Sequence, residues 1–277
     1  IMSEKNVLSH RLESIAKMVT PGGIVADVGC DHGFLSIYMV EQKIADRCLA
    51  MDLRSGPLSN AQKHVEKAGL SDRITCRLSD GLKRMETGEA DKMVCAGMGG
   101  PLIIKILEDS FDKVKAFKEL ILSPQSEIPE FRIYLRDRGY EILNENMVKD
   151  EGKFYFIFKV RFSGDSVFTG TFEKSTEGSA EGNFEGCTEK STEGSAEGNP
   201  ERCNDGSIER KVAENFGLIL PKRKDPVLKE FLDKRKENLE AIIVRLKSDG
   251  NGEKAKARIH EIKQELDIVN EALKYYA

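Results

Sequence analysis

The stretch Val25–Leu35 reads VADVGCDHGFL, an apolar run that ends in a loop carrying Asp27, Gly29, Asp31, His32 and Gly33. The residues before it, GIVADVG, read as a strand, and those after it begin a helix whose apolar face continues through Tyr38, Met39 and Val40. Gly29 and Gly33 let the backbone turn tightly and approach a ligand closely. Asp27 and Asp31 stand where a pyrophosphate-binding loop would carry more glycine, so this loop repels phosphate. It favours a ligand that is cationic or rich in hydroxyls.

Working outward, RCLAMD, RITCRLSD, KMVCAGMG and KELILSP also read as strands, separated by amphipathic segments such as PLSNAQKHVEKAGL, PLIIKILEDSF and EIPEFRIYLRDRGY. Regular alternation of strand and helix implies a parallel sheet with helices on both faces. YEILNENMVKDEGKFYFIFKVRF then supplies two strands joined at Asp-Glu-Gly, an antiparallel hairpin closing the sheet. The expectation is an α/β fold with a seven-stranded, mostly parallel sheet.

Three regions are expected: a sheet domain over 1–162, an insert over 163–206 and a helical part over 207–277. The insert holds a tandem duplication, EKSTEGSAEGNFEGCT followed by EKSTEGSAEGNPERCN, identical at 13 of 16 positions. Rich in Glu, Gly and Ser, it has too few large apolar side chains to offset ordering entropy, and disorder is expected there. The net charge of −4 conceals a division, with ten acidic and three basic residues in 163–206 against thirteen and sixteen in 207–277. In the last region Leu228, Leu232, Leu239, Ile242 and Leu246 recur at helical spacing, SDGNGE interrupts, and Ala255, Ile259, Ile262, Leu266, Val269 and Leu273 resume. This pattern predicts an antiparallel coiled-coil helical hairpin within one chain, and hence a monomer.

Composition excludes several classes. The six cysteines (30, 48, 76, 95, 187 and 203) show no C-x-x-C spacing, which points to reduced thiols rather than to disulfides or a metal site. No metal is expected. The first residues lack the apolar core of a secretory signal, and no later run reaches membrane-spanning length. A cytoplasmic protein without membrane or DNA partners is expected.

Ligands of open parallel sheets bind beyond the carboxyl ends of the strands. Asp52 closes the second strand, 25 residues after Asp27, where a carboxylate accepts ribose hydroxyls. Asp80 ends the third and is placed to accept from an exocyclic amine, with the backbone at Gly81 and Leu82 beside the ring edge. AGMGG, Ala96 to Gly100, ends the fourth with three glycines and leaves room for a second ligand. S-adenosylmethionine, with its sulfonium, ammonium and ribose, fits this set of carboxylates.

LSHRL (Leu8–Leu12), DVGCDHGFL, DGL, AGMGG and LSPQ (Leu122–Gln125), in this order and followed by a helical tail, resemble the bacterial tRNA (adenine-22-N1)-methyltransferases. The resemblance implies a Rossmann-like class I S-adenosylmethionine-dependent fold with a C-terminal coiled coil, covering residues 8–162 closely and 212–274 in pattern. It implies cofactor contacts from Arg11, Asp27, Gly29, Asp31, Asp52, Asp80, Gly81 and Gly97. Arg11 then meets the methionine carboxylate, and Asp31 lies nearest the reacting centre as a catalytic residue. His32 beside it either orients that carboxylate or shuttles a proton, the alternative being a packing role at the helix start. His10, His64 and His260 read as surface or packing residues.

One departure stands out. Gly-Met-Gly-Gly-Pro replaces the Asn-Pro-Pro-Tyr of better-known amino methyltransferases, so a stacking tyrosine for the target base is missing and its grip must come from elsewhere. The expected partner is tRNA, with Lys222–Lys224, Lys234–Lys236 and the later basic residues of the helical tail as an RNA arm. Two rival readings are a small-molecule methyltransferase of the same fold and a non-catalytic protein that uses the helices for interaction. The helical tail argues against the first, and the intact acidic strand ends against the second.

Overall fold

A computed structural model describes residues 8–164, 207–248 and 252–277. The strands are β1 (Ile24–Val28), β2 (Arg47–Asp52), β3 (Ile74–Leu78), β4 (Lys92–Ala96), β5 (Glu119–Ser123), β6 (Tyr140–Asp150) and β7 (Lys153–Phe162). They form one seven-stranded sheet in the order β3-β2-β1-β4-β5-β7-β6. The first five run parallel, and β7 pairs antiparallel with both β5 and β6. Glu151 and Gly152 both take positive φ, 48° and 79°, in the hairpin between β6 and β7. Such a turn matches the twist of the strands it joins.

The central strands are buried on both faces, as a parallel sheet requires. Their side chains alternate between two hydrophobic clusters: Ala26, Met93, Cys95, Leu120 and Leu122 on one side, Val25, Val94 and Ile121 on the other. The second side is covered by α1 (His10–Met18), α2 (Phe34–Glu41) and α3 (Ser55–Lys67) through Ile15, Met39, Ala61 and Val65. The first is covered by α4 (Gly100–Asp109), α5 (Phe111–Val114) and α6 (Ile128–Asp137). Chain order steps from β1 outward to β2 and β3, then returns to β4 on the opposite side of β1. A crevice therefore opens beyond the ends of β1 and β4.

The chain continues as α7 (Ile208–Phe216), α8 (Ile219–Lys222), α9 (Pro226–Ser248) and α10 (Glu253–Leu273). Arg235 of α9 pairs with Glu265 of α10, and the Tyr276 hydroxyl donates to the Asp225 carbonyl at 2.9 Å, so α9 and α10 run antiparallel. They do not stand clear of the sheet. Helix α7 packs against α6 and α10, α8 and α9 pack against β6, and Val212, Leu228, Leu239 and Val269 belong to the same cluster as Ala26 and Met93. One residue of the expected stripe departs from it: Ile242, read as core, is 44% exposed, and its neighbour Ile243 is buried instead at 8% exposure. With apolar residues at both positions, the periodicity left the face ambiguous, and packing against α10 chose.

Four helices, α1, α5, α7 and α8, have no counterpart in the expected elements, although α1 and α7 carry visible cap signals. Ser9 caps α1 by accepting from the Leu12 amide at 3.3 Å, and Ser207 caps α7 by accepting from Arg210 at 3.3 Å, each with a glutamate in the first turn. Helix α8 is a single turn ahead of Asp225, which caps α9 by accepting from Val227 and Leu228 at 3.0 Å. The duplicated acidic segment and the first seven residues lie outside the described residues. Among the described residues Cys30, Cys48, Cys76 and Cys95 are free, no helix is long and apolar enough to cross a membrane, and no group of His, Cys, Asp or Glu is placed to hold a metal ion.

Candidate functional site

A cleft of about 500 Å³ opens at the carboxyl ends of β1 to β4. Its lining includes every site residue expected from the sequence: Arg11, Asp27, Gly29, Asp31, His32, Asp52, Asp80, Gly81 and Gly97. These come from five separate stretches of chain, and only the parallel sheet brings them together.

Asp27, inside β1, is 4% exposed and accepts from the Ser36 hydroxyl at 2.6 Å. Its pKa is raised from 3.8 to about 6, chiefly by loss of hydration and to a smaller extent by nearby Asp52, with the Ser36 hydrogen bond offsetting only part of the rise. Asp52, at the end of β2, takes the Asp31 amide at 3.1 Å on one oxygen and the Arg54 amide at 2.8 Å on the other. It thereby ties the first loop to the second, while a carboxylate retains lone pairs for a ligand hydroxyl. Gly29 has φ 78°, and a Cβ there would collide with the methyl of Met98 across the cleft. This loop requires glycine for both reasons.

Asp31 has φ 49°, uncommon for a residue with a side chain, and its carboxylate is 60% exposed toward the cleft mouth. Around it stand the His32 Nε2 at 3.7 Å and the Arg54 guanidinium at 3.8 Å, and Arg54 also lies 3.8 Å from Asp52. The cleft is therefore less uniformly acidic than its sequence implied. Asp80 likewise pairs with Lys83. His64 is more than surface packing: its Nδ1 donates to the His32 carbonyl at 2.9 Å, since a carbonyl can only accept, and its ring stacks on Phe34 at 4.7 Å.

Arg11 supplies the clearest sign of a missing ligand group. Its backbone amide donates to Asp150 at 3.3 Å and its guanidinium lies 5.0 Å from the centre of the Tyr155 ring. Yet its Nη1 is buried without a hydrogen-bond partner among the described residues. A buried guanidinium nitrogen left unpaired is costly, and a carboxylate entering the cleft removes that cost. The open backbone at Gly97 lies alongside: a Cβ built there would meet nothing nearer than this Nη1, at 4.0 Å.

A family model described as a methyltransferase domain matches residues 8–158, more than half of the chain and all of the cleft. The chain belongs to the methyltransferase-domain family. Over 158 residues this methyltransferase domain is 37% identical to the tRNA (adenine(22)-N(1))-methyltransferase of Bacillus subtilis, a match spanning 57% of this chain and 66% of that relative, just under two thirds of its length. Over the whole fold, it resembles the crystal structure of the B. subtilis m1A22 tRNA methyltransferase TrmK (TM-score 0.71, 26% identity, 96% of this chain and 98% of that one). A Streptococcus pneumoniae structure solved in complex with S-adenosyl-L-methionine gives a TM-score of 0.70 at 28% identity, covering 96% of this chain and 100% of that one.

The cleft also contains residues that the sequence reading passed over: Phe34, Leu53, Arg54, Met98, Leu102 and Gln125. Each follows a strand end or a glycine already singled out, so proximity in sequence was the available signal. Leu53 and Leu102, both at the cleft, are 65% and 49% exposed.

Proposed function

We propose that the chain transfers a methyl group from S-adenosylmethionine to N1 of an adenine in tRNA, at position 22. The observation that carries this reading is the cleft itself: four carboxylates and an arginine with one buried, unpartnered guanidinium nitrogen converge at the strand ends of a methyltransferase domain. Similarity to B. subtilis proteins described as m1A22 tRNA methyltransferases supports the substrate. The chain divides into a catalytic part over 1–162 and a helical part over 207–277, acting as a monomer in the cytoplasm.

Arg11 holds the carboxylate end of the cofactor, Asp52 its ribose, and the Asp80–Gly81 turn its adenine, with Asp27, Gly29 and Gly97 shaping the remaining wall. When bound, the sulfonium supplies the methyl. Adenine N1 carries an in-plane lone pair, so the protein need not create a nucleophile, and positioning dominates. In-line placement at about 3 to 3.5 Å can remove several kcal/mol of barrier. The alkylated ring becomes a cation, and the exposed Asp31 carboxylate either stabilises that charge or takes a proton from the exocyclic amine. Because Arg54 and His32 both face Asp31, they set how much of its negative charge reaches the ring.

The test is transfer of labelled methyl into tRNA lacking the modification, with mapping of the product base. Asp31→Ala should lower kcat by about 100-fold or more while cofactor affinity changes little. Loss of cofactor binding with a normal rate at saturation would remove Asp31 from the chemistry.

A further inference from the structure

Without a stacking tyrosine after β4, the chain must recognise its target base by other means. The wall of the cleft built by β4, α4 and the loop after β5 consists of Ala96, Gly97, Met98, Leu102, Ile106 and Gln125. Five of these carry no strong hydrogen-bonding side chain. Gln125 alone brings one, and its carboxamide is exposed and has no hydrogen bond among the described residues. Its backbone, by contrast, is fixed. The Gln125 amide donates to the Met98 carbonyl at 2.9 Å, and the Gly100 amide donates to the Ser126 carbonyl at 3.2 Å. The loops after β4 and β5 are thus locked together, and Gln125 lines the cleft from a rigid base.

We propose that Gln125 determines specificity for adenine by reading its N7 and N6 edge, a role that rests on the functional reading above. A carboxamide matches this edge bidentately: Nε2 donates to N7 while Oε1 accepts from the exocyclic amine. The pairing leaves N1 clear for methyl transfer, which a contact on the Watson–Crick edge would not. It also rejects guanine, whose O6 would face Oε1, acceptor against acceptor. Met98 and Leu102 supply the apolar contact for the base face that a tyrosine supplies elsewhere. Asp31, on the opposite loop, approaches the amine from the side of N1.

The experiment compares wild type with Gln125→Ala and Gln125→Glu on two tRNAs, one all-adenosine and one carrying 7-deazaadenosine at the methylated position. Cofactor affinity is measured on each variant to establish that the cleft is intact. Wild type should favour the natural base in kcat/KM by about 5- to 150-fold, the range of one bidentate contact. Gln125→Ala should lose that preference, with natural and deaza substrates converging, and Gln125→Glu, which cannot donate to N7, should converge likewise. A merely structural role would slow both substrates equally and preserve the ratio. If wild type and Gln125→Ala discriminate equally, the assignment of Gln125 is overturned and the functional reading survives. If wild type transfers no methyl to the all-adenosine tRNA, both fall together.

Discussion

Among the described residues, two arginines have buried guanidinium nitrogens without hydrogen-bond partners, and their surroundings differ in an instructive way. Arg132, on α6, is 4% exposed, pairs with the buried Glu145 of β6 and lies over the rings of Phe156 and Phe158 at 5.3 and 4.6 Å. The chain seals this pair with its own helical segment: Gly217, at φ 72°, sits so close that a Cβ would fall 2.6 Å from Arg132 Nη1. Arg11 lines an open cleft, and among the described residues no carboxylate pairs with its buried Nη1. An arginine whose counter-charge is built into the fold serves cohesion. One whose counter-charge must come from outside serves a ligand.

The comparison breaks most visibly at Glu145. Replacing it with alanine strands a buried positive charge and should cost about 3 to 5 kcal/mol of stability in urea unfolding. Changing both partners to apolar residues, as Arg132→Met with Glu145→Leu, should cost much less, because no unpaired charge remains. A single substitution costing under about 1 kcal/mol would show that the pair is not what secures the helical segment.

Arg11→Ala should do the reverse. Cofactor affinity, followed by calorimetry, should fall about 10- to 150-fold, the loss of a charge-assisted hydrogen bond, with little change in unfolding. A large loss of stability with unchanged affinity would make Arg11 a second Arg132.

Asp27 sharpens the same contrast through pH. Its folded pKa, near 6, is raised above the ordinary 3.8, so its contribution to stability is full below about 4 and is lost as pH rises through 6. A cationic ligand favours the ionised form. Affinity for the cofactor should therefore weaken as pH falls below 6, by up to about tenfold per unit, with release of up to about one proton per molecule bound near pH 6. Calorimetry in two buffers of different ionisation enthalpy measures that proton, and Asp27→Asn should abolish it. Proton uptake instead would contradict the assignment.

The smallest effect belongs to Arg235 and Glu265, a pair between α9 and α10 whose side chains are 46% and 39% exposed. Arg235→Ala should change stability by less than about 1 kcal/mol and less still in high salt. Unfolding measurements over a salt series check this, and a larger effect would make the surface of the helical pair more than a solvated face.

Much of the sheet was readable because its evidence is local. Each strand announces itself by a short apolar run, the ends of β1 to β4 by an aspartate or glycine, and chain order alone implies that those ends meet on one edge. The hairpin at Glu151 and Gly152 was equally plain. Less readable were residues whose role depends on a neighbour distant in sequence: His64 under the His32 carbonyl, Arg54 between two aspartates, and Gln125 anchored to Met98. The helical tail was legible as two apolar stripes, yet the choice of Ile243 over Ile242 lay in α10 rather than in the spacing.

Strand order along the chain, the acidic loop after β1 and the character of the ligand it suits are legible in short stretches of residues, because periodicity and turn chemistry act locally. Folding in three dimensions was needed to pair Arg132 from within the chain while leaving Arg11 to a ligand, and to seat the C-terminal helices in the core of the sheet. Charge pairing and burial depend on which distant segments come within a few ångströms of one another, and that proximity is written into no single stretch.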